Sequence, residues 1–346
     1  MVLLFFFMLA LAVCSKRTIP AAKEALWLCA QNIIPSLFPF FVLSNMLIKT
    51  GFSTIAGRFL SPFMRTVFNV RGEGGVAFFI GIISGYPTGA KIVYDLYKKG
   101  ELEKSEAERL LPYCNNSGPL FIIGAVGAGM LGSVDAGIFL YVIHIISAIL
   151  TGFILRFYKK TELKERILCT KEDKRLSAFK AFPQSIKDSI NSILAVCGFV
   201  VFFAAVMAPF SAIFQESYLG SISKGILEVT VGIKEIAKSC EFLKTIPIIS
   251  GLLGFGGVSV MVQVMGIVKE ANLSIKPYIF GKIHQGIISA FICSFVLKKT
   301  AVVSTFKADS LVNFETGNIG ATVTAVFVIC IFYFSVLALR KNFKKY

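Results

Sequence analysis

Polarity along this chain comes in long apolar blocks that are interrupted at their middles. Between Gly81 and Pro119 an apolar run is broken by Ser84-Gly85-Tyr86-Pro87-Thr88-Gly89. It then passes a short charged turn, enters a helix and breaks again at Asn115-Asn116-Ser117-Gly118-Pro119. In hydrocarbon each backbone N–H or C=O freed by such a break costs on the order of several kcal/mol, so a break at membrane depth survives only where protein or a water-filled cavity covers it. Broken helices that meet are how many transporters build a substrate site, with half-helix ends supplying backbone groups and dipoles. The pattern predicts an all-α, polytopic membrane protein with a central site at the breaks.

Taken in order, residues 1–14 form an apolar run short of the roughly 20 residues a span needs. No positive segment precedes it and Ser15-Lys16-Arg17 follows, so a cleaved signal is not expected. The run reads as a tilted or clipped first helix, or as a chain start set slightly late. A second apolar stretch covers about 26–48 and contains Pro35 and Pro39. From Phe52 to Phe68 apolar residues keep a helical period with Arg58 and Arg65 between them, which suits a helix lying in the interface. A broken, re-entrant hairpin over about 75–98 follows, then the interrupted helix through Asn115 and a span over about 134–158.

The order then repeats. A span over 189–212 leads to an amphipathic helix carrying Ile222, Ile226, Val229, Ile233, Ile236, Cys240 and Leu243. A second apolar run is broken at Ser250-Gly251-Leu252-Leu253-Gly254-Phe255-Gly256-Gly257-Val258-Ser259. A helix over about 276–297 holds Gly281-Lys282-Ile283-His284-Gln285-Gly286, and a last span lies near 316–339. An offset of 171 aligns Gly85 with Gly256, Leu102 with Leu273 and Cys114 with Gln285. The shared order of elements defines two gate-like repeats, 26–158 and 189–340, with an N-terminal apolar segment (1–25), a basic connector (159–188) and a basic tail (341–346).

Charge orients the repeats. The first interfacial segment carries Lys49, Arg58, Arg65 and Arg71 against Glu73, whereas the second balances Lys224, Lys234, Lys238 and Lys244 with Glu216, Glu228, Glu235 and Glu241. Because Lys/Arg excess marks the cytoplasmic side, the first reads as cytoplasmic and the second as external, as an inverted pair requires. Lys16-Arg17 and the terminal Arg340-Lys341-Asn342-Phe343-Lys344-Lys345 pull the other way.

Composition agrees with the membrane class: 55% hydrophobic, 34 Phe and only 16% charged, with a mean hydropathy of +0.74. The net charge of +16 does not imply nucleic acid. Its cations concentrate in one connector (Arg156, Lys159, Lys160, Lys164, Arg166, Lys171, Lys174, Arg175, Lys180, Lys187), as a cytoplasmic loop would. The eight cysteines are scattered without a C-x-x-C pair and read as reduced packing residues. No H-E-x-x-H, G-x-S-x-G, P-loop or Cys/His cluster occurs, so no enzyme, cofactor or metal is expected.

The candidate binding residues are those at the breaks. At Asn115, Asn116 and Ser117 the amides and hydroxyl either bind a polar ligand or cap two helix halves. His284 and Gln285 fall at the corresponding place in the second half. The tip residues Gly85, Pro87, Thr88 and Gly89, with Gly254, Gly256, Gly257 and Ser259 opposite, allow close backbone approach to a ligand or tight hairpin packing. Lys91 either receives an anionic group or snorkels to the interface, and Lys282 has the same two readings. Gln263, past the second tip, is a further candidate. His144, inside the 134–158 span, reads as a satisfied packing histidine. Glu103, Glu106, Glu108 and Arg109 read as a solvated helix face.

The segments PSLFPFFVLSNMLIKTGF, SGYPTGAKIVYDLYKKGELEKSEAERLLPYCNNSGPLFIIGAVGAGMLGS and GLLGFGGVSVMVQV resemble the YlbJ family of sporulation integral membrane proteins, over nearly the whole chain. That family falls in the nucleoside-recognition or gate group, beside spore maturation proteins and part of the ferrous-iron transporters. The resemblance implies a bacterial membrane location and a role in spore cortex or envelope formation. The order of elements is also similar to the core of concentrative nucleoside transporters. Those carry acidic side chains in hairpin and broken helix, and the tips Gly85 to Gly89 and Gly254 to Ser259 carry none. A nucleoside substrate and a sodium driver therefore do not follow. The expectation is a carrier of an unknown small polar solute working by alternating access, the other reading being a non-transporting scaffold for the sporulation machinery. Besides the lipid bilayer, analogy allows a homo-oligomer or other sporulation membrane proteins as partners.

Overall fold

The computed structural model describes residues 2–51, 59–159, 176–210, 217–238 and 242–304. Part of the first interfacial segment, most of the connector, the span near 316–339 and the basic tail lie outside the described residues. Among those described there is no strand. The α-helices are α1 (Val2–Val13), α2 (Ser15–Leu28), α3 (Ile34–Lys49), α4 (Gly74–Ser84), α5 (Thr88–Lys98), α6 (Lys104–Cys114), α7 (Val134–Leu155), α8 (Ala178–Met207), α9 (Tyr218–Leu227), α10 (Val229–Ile236), α11 (Phe242–Phe255), α12 (Gly257–Glu270) and α13 (Lys276–Ser304). A π-helical turn, Cys29–Ile33, joins α2 to α3, and a longer π-helical segment, Leu120–Met130, leads to α7.

Four stretches are long and apolar enough to cross a membrane: Val134–Leu155, Ala178–Phe210, Lys244–Lys269 and Lys276–Lys298. A fifth course, Phe5–Val13 with Ser15–Ile33, is bent by 92°. The short N-terminal run is thus one arm of a bent pair.

The first hairpin forms as its sequence demands. Gly85 takes φ 79°, a conformation a side chain would oppose, and three residues separate α4 from α5. The two helices fold back on one another. Gly81 on α4 and Gly89 on α5 both abut the Cys114 carbonyl, and a Cβ on either would overlap it. The tip is thereby seated on the end of α6. Beyond Cys114 the helix stops, and residues 115–118 run without helical structure before the π-helical segment.

The second half departs from the expected repeat in three places. Its broken run does not fold back. Only Gly256 lies between α11 and α12, too short a link for the two- to five-residue turn that antiparallel helices need. α11 and α12 together make one broken crossing of 26 residues, Lys244–Lys269. α11 lies along α13, while α12 leaves it to pack on α5 and α9. Second, α13 is continuous through Gly281 and Gly286. These glycines serve contact, since a Cβ on Gly281 would lie 2.4 Å from Pro112 and one on Gly286 2.9 Å from the Gly251 carbonyl. Third, the amphipathic helix is two helices, α9 and α10, parted at Glu228. Even so, the second break keeps its expected neighbour: a Cβ on Gly254 would lie 2.8 Å from the Gln285 carbonyl, and Gln285 is the residue that the offset aligns with Cys114, whose carbonyl Gly81 abuts in the first half.

Of the charges read as a solvated face, Glu103 is exposed and the other three are not. Glu106, Glu108 and Arg109 are fully buried. Glu103 and Glu106 form a capping box, and both bind Arg71, at 2.7 and 3.2 Å. Arg109 donates to the carbonyls of Tyr158, Lys159 and Asn69, and Glu108 accepts from the Ser274 N–H at 3.0 Å and from Lys159 at 3.2 Å. The charged spacing is that of a solvated face, but these side chains satisfy chain ends that the fold turns inward. The five described cysteines are free, and all but Cys14 are buried.

Candidate binding site at the helix breaks

The break after α6 frees backbone groups and turns three polar side chains, Asn115, Asn116 and Ser117, into the interior, each at most 1% exposed. α13 answers them across the interface between the halves. Asn115 Nδ2 donates to the Tyr278 hydroxyl at 2.9 Å, and Gln285 Nε2 donates to Asn116 Oδ1 at 2.9 Å. Lys282 Nζ donates to Gln285 Oε1 at 2.8 Å and to the Asn115 carbonyl at 3.3 Å. Asn116 Nδ2 turns back to the Tyr113 carbonyl. From α7, His144 Nε2 accepts the Ser117 N–H at 3.2 Å.

Tyr278, Lys282 and Gln285 share one face of α13 through three- and four-residue spacing. That face carries the ammonium of the cluster, and no carboxylate is paired with Lys282 among the described residues. One buried acceptor in the same cluster, Asn115 Oδ1, has no hydrogen-bond partner, and neither has His144 Nδ1, the N–H donor of a neutral ring whose Nε2 accepts; Ser117 Oγ faces the Tyr86 hydroxyl. Orphaned groups of this kind cost about 1–3 kcal/mol each. A lysine taken from water costs several more unless a counter-charge reaches it. The arrangement can accept a polar ligand that brings a negative group to Lys282 and a donor to Asn115.

The glycine tips border this cluster. Gly85 packs on Gly118, with a Cβ there 2.8 Å from the Gly118 nitrogen, and Gly256 packs on Lys282, with a Cβ there 3.6 Å from Cε. Ser84 hydrogen-bonds Ser44 of α3, and Ser259 is buried. Pro87 and Thr88 of the first tip are half-buried. Gln263, on α12, is half-buried with its Oε1 unpartnered.

Two candidates fall elsewhere. Lys91 is exposed. His284 turns away from the cluster, its Nδ1 at 2.8 Å from the Phe280 carbonyl and its ring on the Phe280 ring. On a continuous α13, neighbours in sequence face about 100° apart, so Gln285 points in and His284 out. His144, by contrast, belongs to the cluster; a lone polar residue in an apolar span was the available signal. A second residue missed is Glu228, at the α9–α10 joint and 2% exposed. Burial in this joint pushes its carboxyl up to about 6, against backbone and Thr230 hydrogen bonds that pull the other way. Among the described residues no group of three or more His, Cys, Asp or Glu is placed to hold a metal.

The nucleoside-recognition Gate family matches residues 30–155, which spans the first hairpin, the break and α7. The chain is 31% identical over 324 residues to the sporulation integral membrane protein YlbJ of Bacillus subtilis (strain 168), covering 83% of this chain and 79% of that protein. No solved structure matches the chain.

Proposed function

The chain belongs to the YlbJ family of sporulation integral membrane proteins, and from that premise we propose that it is a transporter-like carrier of a small polar solute bearing an anionic group, used in forming the spore cortex or envelope. The observation that carries the reading is Lys282: a buried ammonium aimed at a helix break, bonded only to neutral oxygens, beside one orphaned acceptor, Asn115 Oδ1, and one orphaned donor, His144 Nδ1. A solute anion supplies the missing counter-charge. The bonds Lys282–Asn115 and Gln285–Asn116 join the two halves, and a solute that competes for them loosens one half from the other, which is the step alternating access needs. An uncharged nucleoside leaves the lysine without a partner, so the domain's name does not fix the substrate.

The test uses purified protein in detergent and in proteoliposomes, with nucleosides, amino acids and dicarboxylates as probes. Carboxylate-bearing probes are expected to raise the unfolding temperature and to be taken up, and Lys282→Met is expected to remove both effects. Protection by nucleosides alone overturns the anionic class. Uptake of no probe, together with normal sporulation by Lys282→Met and Asn115→Ala cells, favours a non-transporting scaffold.

A further inference from the structure

Glu228 stands where both breaks converge. It links α9 to α10 in an extended conformation, φ −139° and ψ 111°, and its Oε2 accepts the Val231 N–H at 2.7 Å. On one side Gly257 of the second break backs onto this joint, a Cβ there falling 3.2 Å from the Val229 nitrogen and 3.6 Å from the Gly225 carbonyl. On another, Tyr86 of the first tip lies within its electrostatic reach. Gly225 and Gly232 hold α9 and α10 so close that neither accepts a Cβ. The joint that carries this carboxyl is therefore backed by the second tip, and the first tip comes near it through buried Tyr86.

Among the described residues no cation answers it. Lys224, on the preceding helix, is taken by Glu235 at 2.8 Å, and Lys282 is bonded to Asn115 and Gln285. The titratable groups that face Glu228 from the elements packed against it are Tyr86 of the first hairpin and Cys29 of the π-helical turn, the latter paired with Cys197 of α8. A phenol and two thiols carry no positive charge in either protonation state. Capping α10 does not require a carboxylate, since serine or threonine caps as well without burying a charge. An ionisable group kept in such a place is cheap only in its protonated form, and only while water is excluded.

We infer that Glu228 is a proton-binding site linked to the position of the two breaks: the proton is held while the tips pack against it and is released when their separation lets water in. On release the acid O–H bond breaks, the electron pair stays on the carboxylate and the proton passes to water. By reciprocity, whatever parts the tips expels the proton, and an acidic medium holds them shut. Its use as a coupling ion rests on the carrier reading, but the proton site itself does not.

The test is hydrogen exchange of the full chain in nanodiscs, read by mass spectrometry over residues 84–90 and 225–232 between about pH 5 and about pH 8, corrected for the intrinsic pH dependence of exchange. The wild type is expected to exchange several-fold faster at both segments at the higher pH. Glu228→Gln should be slow and flat, and Glu228→Asp should keep a step. A flat wild type, or the same step in Glu228→Gln, overturns the inference. Should Glu228→Gln fail to fold, infrared spectra decide: a protonated-carboxyl band that fades across this interval and moves in Glu228→Asp supports it, and its absence at the acidic end overturns it. A persisting step in protein that takes up no solute counts against the carrier reading alone.

Discussion

Lys282 reaches from α13 to the carbonyl of Asn115, 3.3 Å away, so a cation from the second half of the chain sits at the carboxyl end of a first-half helix. The last carbonyls of α6 have no helical partners and carry the negative end of its dipole, which explains how an ammonium rests there without a carboxylate. The rest at that position is incomplete, and that incompleteness is what a solute anion would relieve.

Replacing Lys282 by Met should therefore separate folding from function. Removing a buried ammonium of similar volume recovers its desolvation cost, while orphaning Gln285 Oε1 costs about 1–3 kcal/mol. The unfolding temperature in detergent is expected to hold or rise while protection by carboxylate probes disappears. A large drop in stability would make Lys282 a structural hub.

The first tip can be tested through its glycines. Gly81→Ala sets a methyl against the Cys114 carbonyl, a backbone atom that cannot turn aside, and should cost about 3 kcal/mol by overpacking. Gly124→Ala meets nothing within 4 Å and should be tolerated. Equal losses in thermal unfolding would mean that α4 is not seated on α6 as described.

These two residues also mark what was legible in the sequence. Ser84 to Gly89 holds two glycines around a proline, and only a reversal uses all three, so the first hairpin and the break at Asn115 could be read directly. Gly254 to Gly257 holds glycines without turn residues. Sequence does not distinguish a glycine that bends the chain from one, like Gly286, that admits a neighbour's carbonyl. Charges misled in the same way: the spacing of Glu106, Glu108 and Arg109 is that of a wet helix face, and their partners, Arg71, Ser274 and the carbonyls of Asn69 and Tyr158, are remote along the chain. Glu228 counted as one charge among a balanced set until the fold closed over it.

Arg109 should prove the costliest of those charges to lose. Its guanidinium holds three carbonyls, from Asn69, Tyr158 and Lys159, at 2.7–3.0 Å. Arg109→Met orphans them beside buried Glu106 and should destabilise by about 3–5 kcal/mol. Arg109→Lys should rescue little, since an ammonium lacks the planar fork that spans the three acceptors. Full rescue in denaturant titrations would show that charge alone matters.

Glu228 gives a dependence on pH with a definite sign. Its carboxyl is raised from 4.5 to about 6 in the folded chain, so its contribution is fully present below about 4.5 and lost as pH rises through about 6. The difference is about 2 kcal/mol at 1.36 kcal/mol per unit. Wild-type stability relative to Glu228→Gln should thus fall between those two values and level off above them. A rise over that interval would mean that the carboxylate form is the one the fold prefers.

The two histidines offer the sharpest contrast between sequence position and spatial role. His144 accepts the Ser117 N–H inside the cluster and leaves Nδ1 unpartnered, whereas His284, one residue before the inward Gln285, stacks on Phe280 at the outer face of α13. His144→Ala removes the acceptor and opens space beside Lys282; it is expected to cost about 1–3 kcal/mol and to weaken solute protection at least tenfold. His144→Gln can offer an oxygen to the same N–H and should restore part of both. His284→Ala should leave stability within about 0.5 kcal/mol, as surface substitutions do, and leave protection untouched. Titrating one carboxylate probe against all four proteins measures this directly. Loss of protection in His284→Ala with retention in His144→Ala would place the solute outside the break.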